Sequence, residues 1–174
     1  GVICTNTNLL FDLVSEIENK NANNEFYLTD IIKLAKNRNL KCATVECSES
    51  EAMGINSRVE LAHAESYFQE EKRTEMMLNG VTLTDPNTVW FSSDTVIGRD
   101  TIIEQNVIFG PETTVESHAL IKSFSHIEGA HISKGAIVGP FARLRPGAEL
   151  ANNSKVGNFC EVKESQIGEG AKVN

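Results

Sequence analysis

One spacing dominates the sequence: from Thr95 to Asn174, an aliphatic or aromatic residue recurs every five or six positions. The fourteen positions define thirteen intervals, of which eleven are six residues long and two, 127 to 132 and 162 to 167, are five. The recurring residues are Ile97, Ile103, Phe109, Val115, Ile121, Ile127, Ile132, Val138, Leu144, Leu150, Val156, Val162, Ile167 and Val173. A small side chain such as Thr, Ser, Ala, Val or Cys stands two residues before each of them. Neither an α-helix nor a simple alternating strand has this period.

A hexapeptide period predicts a parallel β-helix, in which each hexad forms a short strand and a corner. Three hexads close one triangular coil. Because residues i−2 and i of a strand point the same way, the bulky residue and the small residue before it both face the interior. Neighbouring coils are expected to stack about 4.8 Å apart, as strands do in any sheet. We interpret the two five-residue intervals as single deletions at corners.

The residues before the repeat predict a different architecture. The pattern of residues 1–57 predicts the C-terminal part of an α/β domain with a parallel sheet. The pattern predicts a strand at Val2–Cys4, helices capped by Thr7 and Thr29, and a second strand at Leu40–Cys47. Fifty-odd residues of this kind are too few for a stable domain of their own.

A linker helix at 58–80 is expected to join this part to the β-helix domain at 81–174. Its helical stretch, 59–78, is highly charged in the middle, which favours a solvated connecting helix. Residues 81–94 are interpreted as an entry segment that covers the first coil, with Trp90 as a hydrophobic cap.

Composition limits the partners. The net charge of −8 and the pI near 5.0 argue against binding to nucleic acid or to an anionic membrane surface. No apolar run reaches membrane-spanning length and no signal peptide is recognised, so we expect a cytoplasmic protein. The cysteines lack any paired spacing, which favours reduced thiols; they are Cys4, Cys42, Cys47 and Cys160. The histidines lack metal-ligand spacing and are expected at the surface; they are His63, His118, His126 and His131.

The most informative local stretch is Phe141-Ala142-Arg143-Leu144-Arg145-Pro146-Gly147. Since Leu144 faces inward, Arg143 and Arg145 face outward. Eighteen residues, or one coil, after Arg145 comes Lys163. The two cations are therefore expected on neighbouring coils, where like charges repel. A bound anion would remove this repulsion, and arginine is well suited to phosphate.

A surface ladder of ion pairs is the alternative. The same register places Glu128 one coil before Arg145, and Glu161 one coil after Arg143. Exposed pairs of this kind contribute little to stability. The ladder leaves Lys163 without a partner, and spacing alone does not decide between the two interpretations.

Two segments resemble a known family. The stretch Gly139-Pro140-Phe141-Ala142-Arg143-Leu144-Arg145-Pro146-Gly147-Ala148, followed by Val156-Gly157-Asn158-Phe159 and Lys163, is similar to the acetyltransferase half of the bacterial bifunctional N-acetylglucosamine-1-phosphate uridyltransferase/glucosamine-1-phosphate N-acetyltransferases. The segments Asn24-Glu25-Phe26-Tyr27-Leu28-Thr29-Asp30 and Gly54-Ile55-Asn56-Ser57-Arg58 resemble the end of the uridyltransferase half. The resemblance covers essentially the whole chain.

The resemblance implies the tail of a Rossmann-like nucleotidyltransferase domain, a connecting helix and a left-handed β-helix in a homotrimer. It implies acetyl transfer from acetyl-CoA to glucosamine 1-phosphate, followed by uridylyl transfer from UTP, with Mg²⁺, to give UDP-N-acetylglucosamine and pyrophosphate. This product feeds peptidoglycan and lipopolysaccharide synthesis.

By position, the resemblance also implies roles for three residues. Asn56 matches the family's Mg²⁺ ligand, which lies near the sugar nucleotide. Arg145 and Lys163 match the Arg and Lys that bind the sugar phosphate. The catalytic His, the general base, is expected just beyond Asn174, as are the coils that bind acetyl-CoA. The Gly-rich nucleotide loop and an Asp that shares the Mg²⁺ are expected upstream of Gly1, so this piece alone is expected to catalyse neither reaction.

Two other hypotheses for the function of the chain are consistent with the sequence. The chain could derive from a sugar-nucleotide pyrophosphorylase whose β-helix is structural or regulatory, as in glucose-1-phosphate adenylyltransferases. It could also be a non-enzymatic hexapeptide-repeat scaffold, which predicts no saturable binding of glucosamine 1-phosphate or UDP-N-acetylglucosamine.

Overall fold

The computed structural model describes residues 2–48 and 51–174, and the chain divides into two compact units, Gly1–Ile55 and Asn56–Asn174. The first unit contains helix α1 (Thr7–Val14), a 3-10 turn (Leu28–Asp30) and helix α2 (Ile31–Asn37). Its small core consists of Leu13, Ile31 and Ala35.

Helix α1 is capped one residue earlier than the sequence pattern predicted. Asn6 is the N-cap, and its side-chain oxygen accepts hydrogen bonds from the backbone N–H groups of Asn8 and Leu9, at 3.0 and 3.4 Å. Helix α2 starts out of the 3-10 turn, and no side-chain hydrogen bond caps it. Thr29 lies inside that turn, so the prediction of a Thr29 cap is wrong.

The two strands predicted in the first unit are not formed. Residues 2–4 and 40–47, all within the described part of the chain, have no regular secondary structure. A strand is stable only beside others. The described residues of this unit supply no sheet for these segments to join, so the predicted α/β character is reduced to its helices.

Helix α3 (Arg58–Leu78) opens the second unit. Ser57 is its N-cap, with the side-chain oxygen accepting a hydrogen bond from the Glu60 N–H at 3.2 Å. Most of the helix is exposed to solvent, as its charge suggested, but one face is not. Gln69 and Met76 are 2% and 4% exposed, because this face packs on the β-helix.

The rest of the unit is a parallel β-helix. Its strands are β1 (Thr82–Leu83), β2 (Trp90–Phe91), β3 (Val96–Ile97), β4 (Ile102–Ile103), β5 (Ile108–Phe109), β6 (Thr114–Val115), β7 (Leu120–Ile121), β8 (His126–Ile127), β9 (Ala130–Ile132), β10 (Ile137–Val138), β11 (Arg143–Leu144), β12 (Ala148–Leu150), β13 (Lys155–Val156), β14 (Glu161–Val162), β15 (Ser165–Ile167) and β16 (Lys172–Val173). Every third strand pairs in parallel, which gives three faces. Sheet A holds β1, β4, β7, β10, β13 and β16; sheet B holds β2, β5, β8, β11 and β14; sheet C holds β3, β6, β9, β12 and β15.

The register confirms the coil length. Leu144 pairs with Val162, eighteen residues on, whereas Ile127 pairs with Leu144, seventeen residues on. The shorter coil contains one of the five-residue intervals, as the deletion interpretation requires. The interior is filled by the repeating bulky residues, which are buried from Ile97 to Val162 and half-buried at Ile167 and Val173.

Residues 81–94 are part of the first coil and not a cover over it. They contain β1 and β2, which pair with β4 and β5. Phe91 faces the interior and stacks on Phe109, with ring centroids 5.2 Å apart. Trp90 faces outward and is 44% exposed, so the prediction that it caps the core is wrong.

The described residues also answer the predictions on membrane helices, cysteines and histidines. None of their helices is long and apolar enough to cross a membrane. The four cysteines are free thiols. His63, His118 and His131 are exposed as predicted, and His126 is half-buried on the outer face of sheet B.

Candidate functional site

The candidate site lies where strand β11 of sheet B ends. Arg143 and Arg145 flank Leu144, which is fully buried, so both arginines lie outside the prism. Because Leu144 pairs with Val162, Arg145 and Lys163 occupy matching positions on neighbouring coils. The Arg145 N–H donates to the Val162 carbonyl at 2.9 Å, which continues this register to Arg145.

The corner that follows β11 is one residue longer than the matching corners of the coils on either side. Both five-residue intervals fall at this edge of the prism, between sheets B and C, whereas the Arg145-Pro146-Gly147 corner keeps the full length. This longer corner, Arg145-Pro146-Gly147, lies between two shorter corners and is here called the ledge.

Glycines hold the ledge closely against its neighbours. Gly129 has a φ of +54°, and a Cβ added there would lie 2.8 Å from Pro146 Cα. Gly147 has a φ of +79°, and its Cβ would lie 3.1 Å from Glu164 Cα. Gly129 supports the ledge from one side, and Gly147 allows the next coil to approach from the other.

Both arginines form ion pairs, but with partners exchanged relative to the predicted ladder. Arg145 Nη1 donates to Glu161 Oε1 at 2.8 Å, and Arg143 Nη2 lies 3.8 Å from Glu128 Oε1. The pairs are diagonal because a long guanidinium side chain can reach the position two residues along a neighbouring strand. Glu161 is therefore a neighbour of the candidate site that counting directly opposed residues missed; diagonal positions in the same register would have found it.

Lys163 is the unpaired cation of this edge. Within residues 2–48 and 51–174, its ammonium group has no ion pair or hydrogen bond. Its carbonyl accepts a hydrogen bond from Ser165 Oγ at 2.8 Å. The edge thus presents one arginine bound to a single carboxylate and one free ammonium group.

Asn56 lies apart from this corner, immediately before helix α3. Its backbone N–H donates to Glu60 Oε2 at 2.6 Å. This bond is the main cause that lowers the pKa of Glu60, and the Ser57 side chain adds to it. The described residues contain no group of three or more His, Cys, Asp or Glu side chains placed to hold a metal ion. One amide and a carboxylate already used in a helix cap do not by themselves complete a Mg²⁺ site, which needs near-octahedral oxygen ligands.

Carboxylates join neighbouring coils at other corners. Glu104 Oε2 accepts hydrogen bonds from the Ser123 N–H and Oγ, at 2.9 and 2.8 Å. Asp94 accepts the Glu112 N–H at 2.7 Å. These backbone hydrogen bonds are the largest causes that lower the pKa of each carboxyl group. Since each group is already bound within the protein, their role is structural.

The chain is similar along its whole length to proteins named "Bifunctional protein GlmU". It is 54% identical over 174 residues to the one from Jannaschia sp. (strain CCS1) and 56% identical over 174 residues to the one from Roseobacter denitrificans. It covers 38% and 39% of these relatives, so it spans less than two fifths of their length.

Two further comparisons are less informative. No family model matches the chain. Among solved structures, the acetyltransferase domain of PglB from Neisseria gonorrhoeae is 16% identical, with a TM-score of 0.43, and the match covers 63% of this chain and 60% of that one. This likeness is too low to carry a functional argument.

Proposed function

Because this chain belongs to the family of the bifunctional GlmU proteins, we propose that it is part of a bifunctional enzyme of UDP-N-acetylglucosamine biosynthesis. The parent protein transfers an acetyl group from acetyl-CoA to glucosamine 1-phosphate and then a uridylyl group from UTP to the product. The chain contributes the first coils of the acetyltransferase domain, a left-handed β-helix in a cytoplasmic homotrimer. Residues 1–57 contribute the end of the uridyltransferase domain, and 58–80 the linker.

The observation that carries the proposal is the position of Arg145 and Lys163 on adjacent coils. Glucosamine 1-phosphate bears a dianionic group, which two cations can hold at once. Arg145 can offer paired N–H donors to phosphate oxygens, and Lys163 a compact charge. Their shared task is to bind and orient the sugar phosphate so that its amine faces the acetyl donor.

Glu161 affects phosphate binding through its contact with Arg145. In the free protein, Glu161 Oε1 lies 2.8 Å from Arg145 Nη1 and forms an ion pair with the guanidinium group. A phosphate must therefore displace or share this contact. Because both side chains are partly exposed, the exchange costs little.

The remaining chemistry lies outside this chain in the proposal. The general-base His and the acetyl-CoA coils follow Asn174 in the parent, and the nucleotide-binding loop precedes Gly1. Asn56 is proposed as one ligand of the uridyltransferase Mg²⁺, which needs further ligands that the described residues do not supply. The isolated chain is accordingly expected to catalyse neither reaction.

The test is made in the full-length parent protein by assaying both reactions separately. Arg145→Ala is expected to abolish acetyl transfer and to leave uridylyl transfer unchanged. Arg143→Ala is the matched control, because Arg143 lies two residues away with its own carboxylate partner. Loss of acetyl transfer in the control but not in Arg145→Ala would contradict the proposal. Full acetyl transfer by both variants would favour a structural or regulatory β-helix.

A further inference from the structure

Three phenylalanines form a column of exposed rings along the corner between sheets A and B. Phe124, Phe141 and Phe159, here called the aromatic edge, occupy this corner in three successive coils and are 51%, 46% and 77% exposed. Their rings stack, with centroids 4.9 Å apart for Phe124 and Phe141 and 5.1 Å for Phe141 and Phe159. The stacking covers part of each ring, and the outer side of the column is open to solvent.

The backbone at these positions favours small or polar residues over aromatic ones. The three phenylalanines have φ values of +62°, +54° and +56°. A bulky residue is unusual in this left-handed region, whereas Asn and Gly enter it readily. The matching corner of the preceding coil is occupied by Asn106, with a φ of +59°. Folding of the corner therefore does not require a phenylalanine, and its use three times indicates a function outside the prism.

Two rings of the aromatic edge lie on the same strands as the proposed phosphate-binding pair. Phe141 stands four residues before Arg145, and Phe159 stands four residues before Lys163. Alternate residues of a strand point to the same side, and the buried Val162 places Lys163 outside the prism. The outer face of sheet B thus has an aromatic wall at one end of these two strands and two cations at the other.

The span between the two ends fits one sugar ring. A strand rises about 3.3 Å per residue, so the backbones of Phe159 and Lys163 are at most about 13 Å apart. A hydrogen bond to the ammonium group takes up about 3 Å of this span, and van der Waals contact with the phenyl ring takes up about 4 Å. The remaining length of about 6 Å accommodates one pyranose ring, whereas the sugar and base of a nucleotide together would extend past the corner.

A phosphorylated hexose also has the two kinds of surface that the two ends can bind. Its phosphate suits Arg145 and Lys163, and the C–H groups of its ring pack favourably on aromatic carbon. Sites for small molecules commonly combine an apolar wall with a few well-placed polar groups. In the preceding coil, Phe124 shares its strand with Glu128 in place of a cation. A ligand held by its phosphate therefore meets the aromatic edge at its two later rings.

We propose that Phe159 is a specificity-determining residue of the phosphate site. A sugar held through its phosphate by Arg145 and Lys163 packs its ring against Phe159, and Phe141 supports that ring by stacking on it. The site consequently binds a phosphorylated single sugar more tightly than phosphate alone. This inference rests on the function proposed for the two cations and adds the residue that recognises the sugar.

The experiment is an amide NMR titration of the chain with inorganic phosphate and, separately, with glucosamine 1-phosphate. The test variant is Phe159→Asn, because Asn suits the left-handed backbone and so preserves the corner. Phe124→Asn is the matched control, since it makes the same change two rings away, on the strand that ends in Glu128. Arg145→Ala tests the phosphate site itself, and the spectra report whether each variant is folded.

We expect Phe159→Asn to bind glucosamine 1-phosphate about three- to tenfold more weakly and to bind inorganic phosphate as the unaltered chain does. Phe124→Asn should bind both ligands normally, and Arg145→Ala should bind both more weakly. In the unaltered chain, nuclear Overhauser contacts should join the sugar protons to the Phe159 ring, which answers the question even if Phe159→Asn does not fold.

Three results would overturn the inference. Normal binding of glucosamine 1-phosphate by folded Phe159→Asn, with weaker binding by Arg145→Ala, would leave the phosphate site in place and the sugar elsewhere. Equal weakening of both ligands by Phe159→Asn, or an equal effect of Phe124→Asn, would mean that the ring acts only on the structure of the coil. Normal binding of both ligands by Arg145→Ala would contradict the proposed function as well, so the two failures are distinguishable.

Discussion

Gln69 completes the open edge of strand β2 by bonding to both backbone groups of Phe91. Its side-chain amide donates to the Phe91 carbonyl at 2.7 Å, and its side-chain oxygen accepts the Phe91 N–H at 2.9 Å. A single amide side chain thus replaces the strand that a preceding coil would supply. Helix α3 closes the first coil in this way, which satisfies an edge that would otherwise be exposed for pairing with other chains.

We expect Gln69→Ala to lower the free energy of unfolding by about 2–4 kcal/mol, because two buried backbone groups lose their partners. Urea denaturation monitored by circular dichroism measures the change. Thr74→Ala is the control, since Thr74 is exposed on the same helix. Equal stability of the two variants would show that the Gln69 amide does not close this edge.

The pH dependence of stability should carry a contribution from Glu104. Hydrogen bonds from the Ser123 backbone and hydroxyl lower the pKa of this carboxyl group below its usual 4.5. A lowered pKa in the folded state means that the stabilisation is complete above the unfolded pKa and is lost as the pH falls through the folded value. Glu104→Gln, which removes the titrating group, should therefore destabilise the protein at neutral pH and flatten the loss of stability below about pH 4.5.

Denaturation midpoints measured at a series of pH values check this prediction. Glu169→Gln is the comparison, because Glu169 is exposed at the opposite end of the β-helix from Glu104. If Glu104→Gln left the acid limb of the stability curve as steep as in the unaltered protein, the role assigned to Glu104 would be wrong.

The ledge beneath Arg145 should tolerate no added methyl group. In Gly129→Ala, the new Cβ would lie 2.8 Å from Pro146 Cα, on a backbone with positive φ. We expect a loss of about 1–3 kcal/mol from overpacking and strain. Gly170→Ala is a matched control, since Gly170 also has a positive φ, +65°, and a Cβ there has no neighbour within 4 Å. Thermal denaturation of both variants separates a ledge effect from the general cost of replacing glycine, and equal melting temperatures would contradict the packing described.

Glu161 should compete with ligands for Arg145. Replacing its carboxylate in Glu161→Gln removes the charge from the 2.8 Å contact and frees the guanidinium. We expect glucosamine 1-phosphate to bind about two- to fivefold more tightly, as befits an exposed ion pair. Glu128→Gln, which frees Arg143 instead, should leave binding unchanged. Calorimetric titration of both variants checks this, and weaker binding by Glu161→Gln would mean that Glu161 assists the ligand.

The sequence predicted the β-helix well because its period is a property of the prism itself. Leu144 and Ile127 are buried by the same geometry that sets their spacing, so the pattern specifies both the register and the placement of Arg145 beside Lys163. Corner deletions were visible for the same reason.

Other features depended on contacts that no period encodes. The local sequence at 2–4 and 40–47 favours strands, but the described residues provide no neighbouring strand with which these segments could pair. The charged sequence around Gln69 did not predict that this residue is buried. Its burial depends on the hydrogen bond to the backbone of Phe91, at the open edge of strand β2. The exchange of carboxylate partners between Arg143 and Arg145 depends on side-chain reach, which register alone does not determine.

The central claim, that Arg145 and Lys163 hold one phosphate together, is tested most directly by a double-mutant cycle. Glucosamine 1-phosphate is titrated by calorimetry into the unaltered chain, Arg145→Ala, Lys163→Ala and the double variant, with Arg143→Ala as control. Each single variant is expected to bind about ten- to hundredfold more weakly, and the double variant to lose less than the product of the two, because both cations contact one anion. Independent, multiplicative losses, or a loss in Arg143→Ala as large as in Arg145→Ala, would contradict the account.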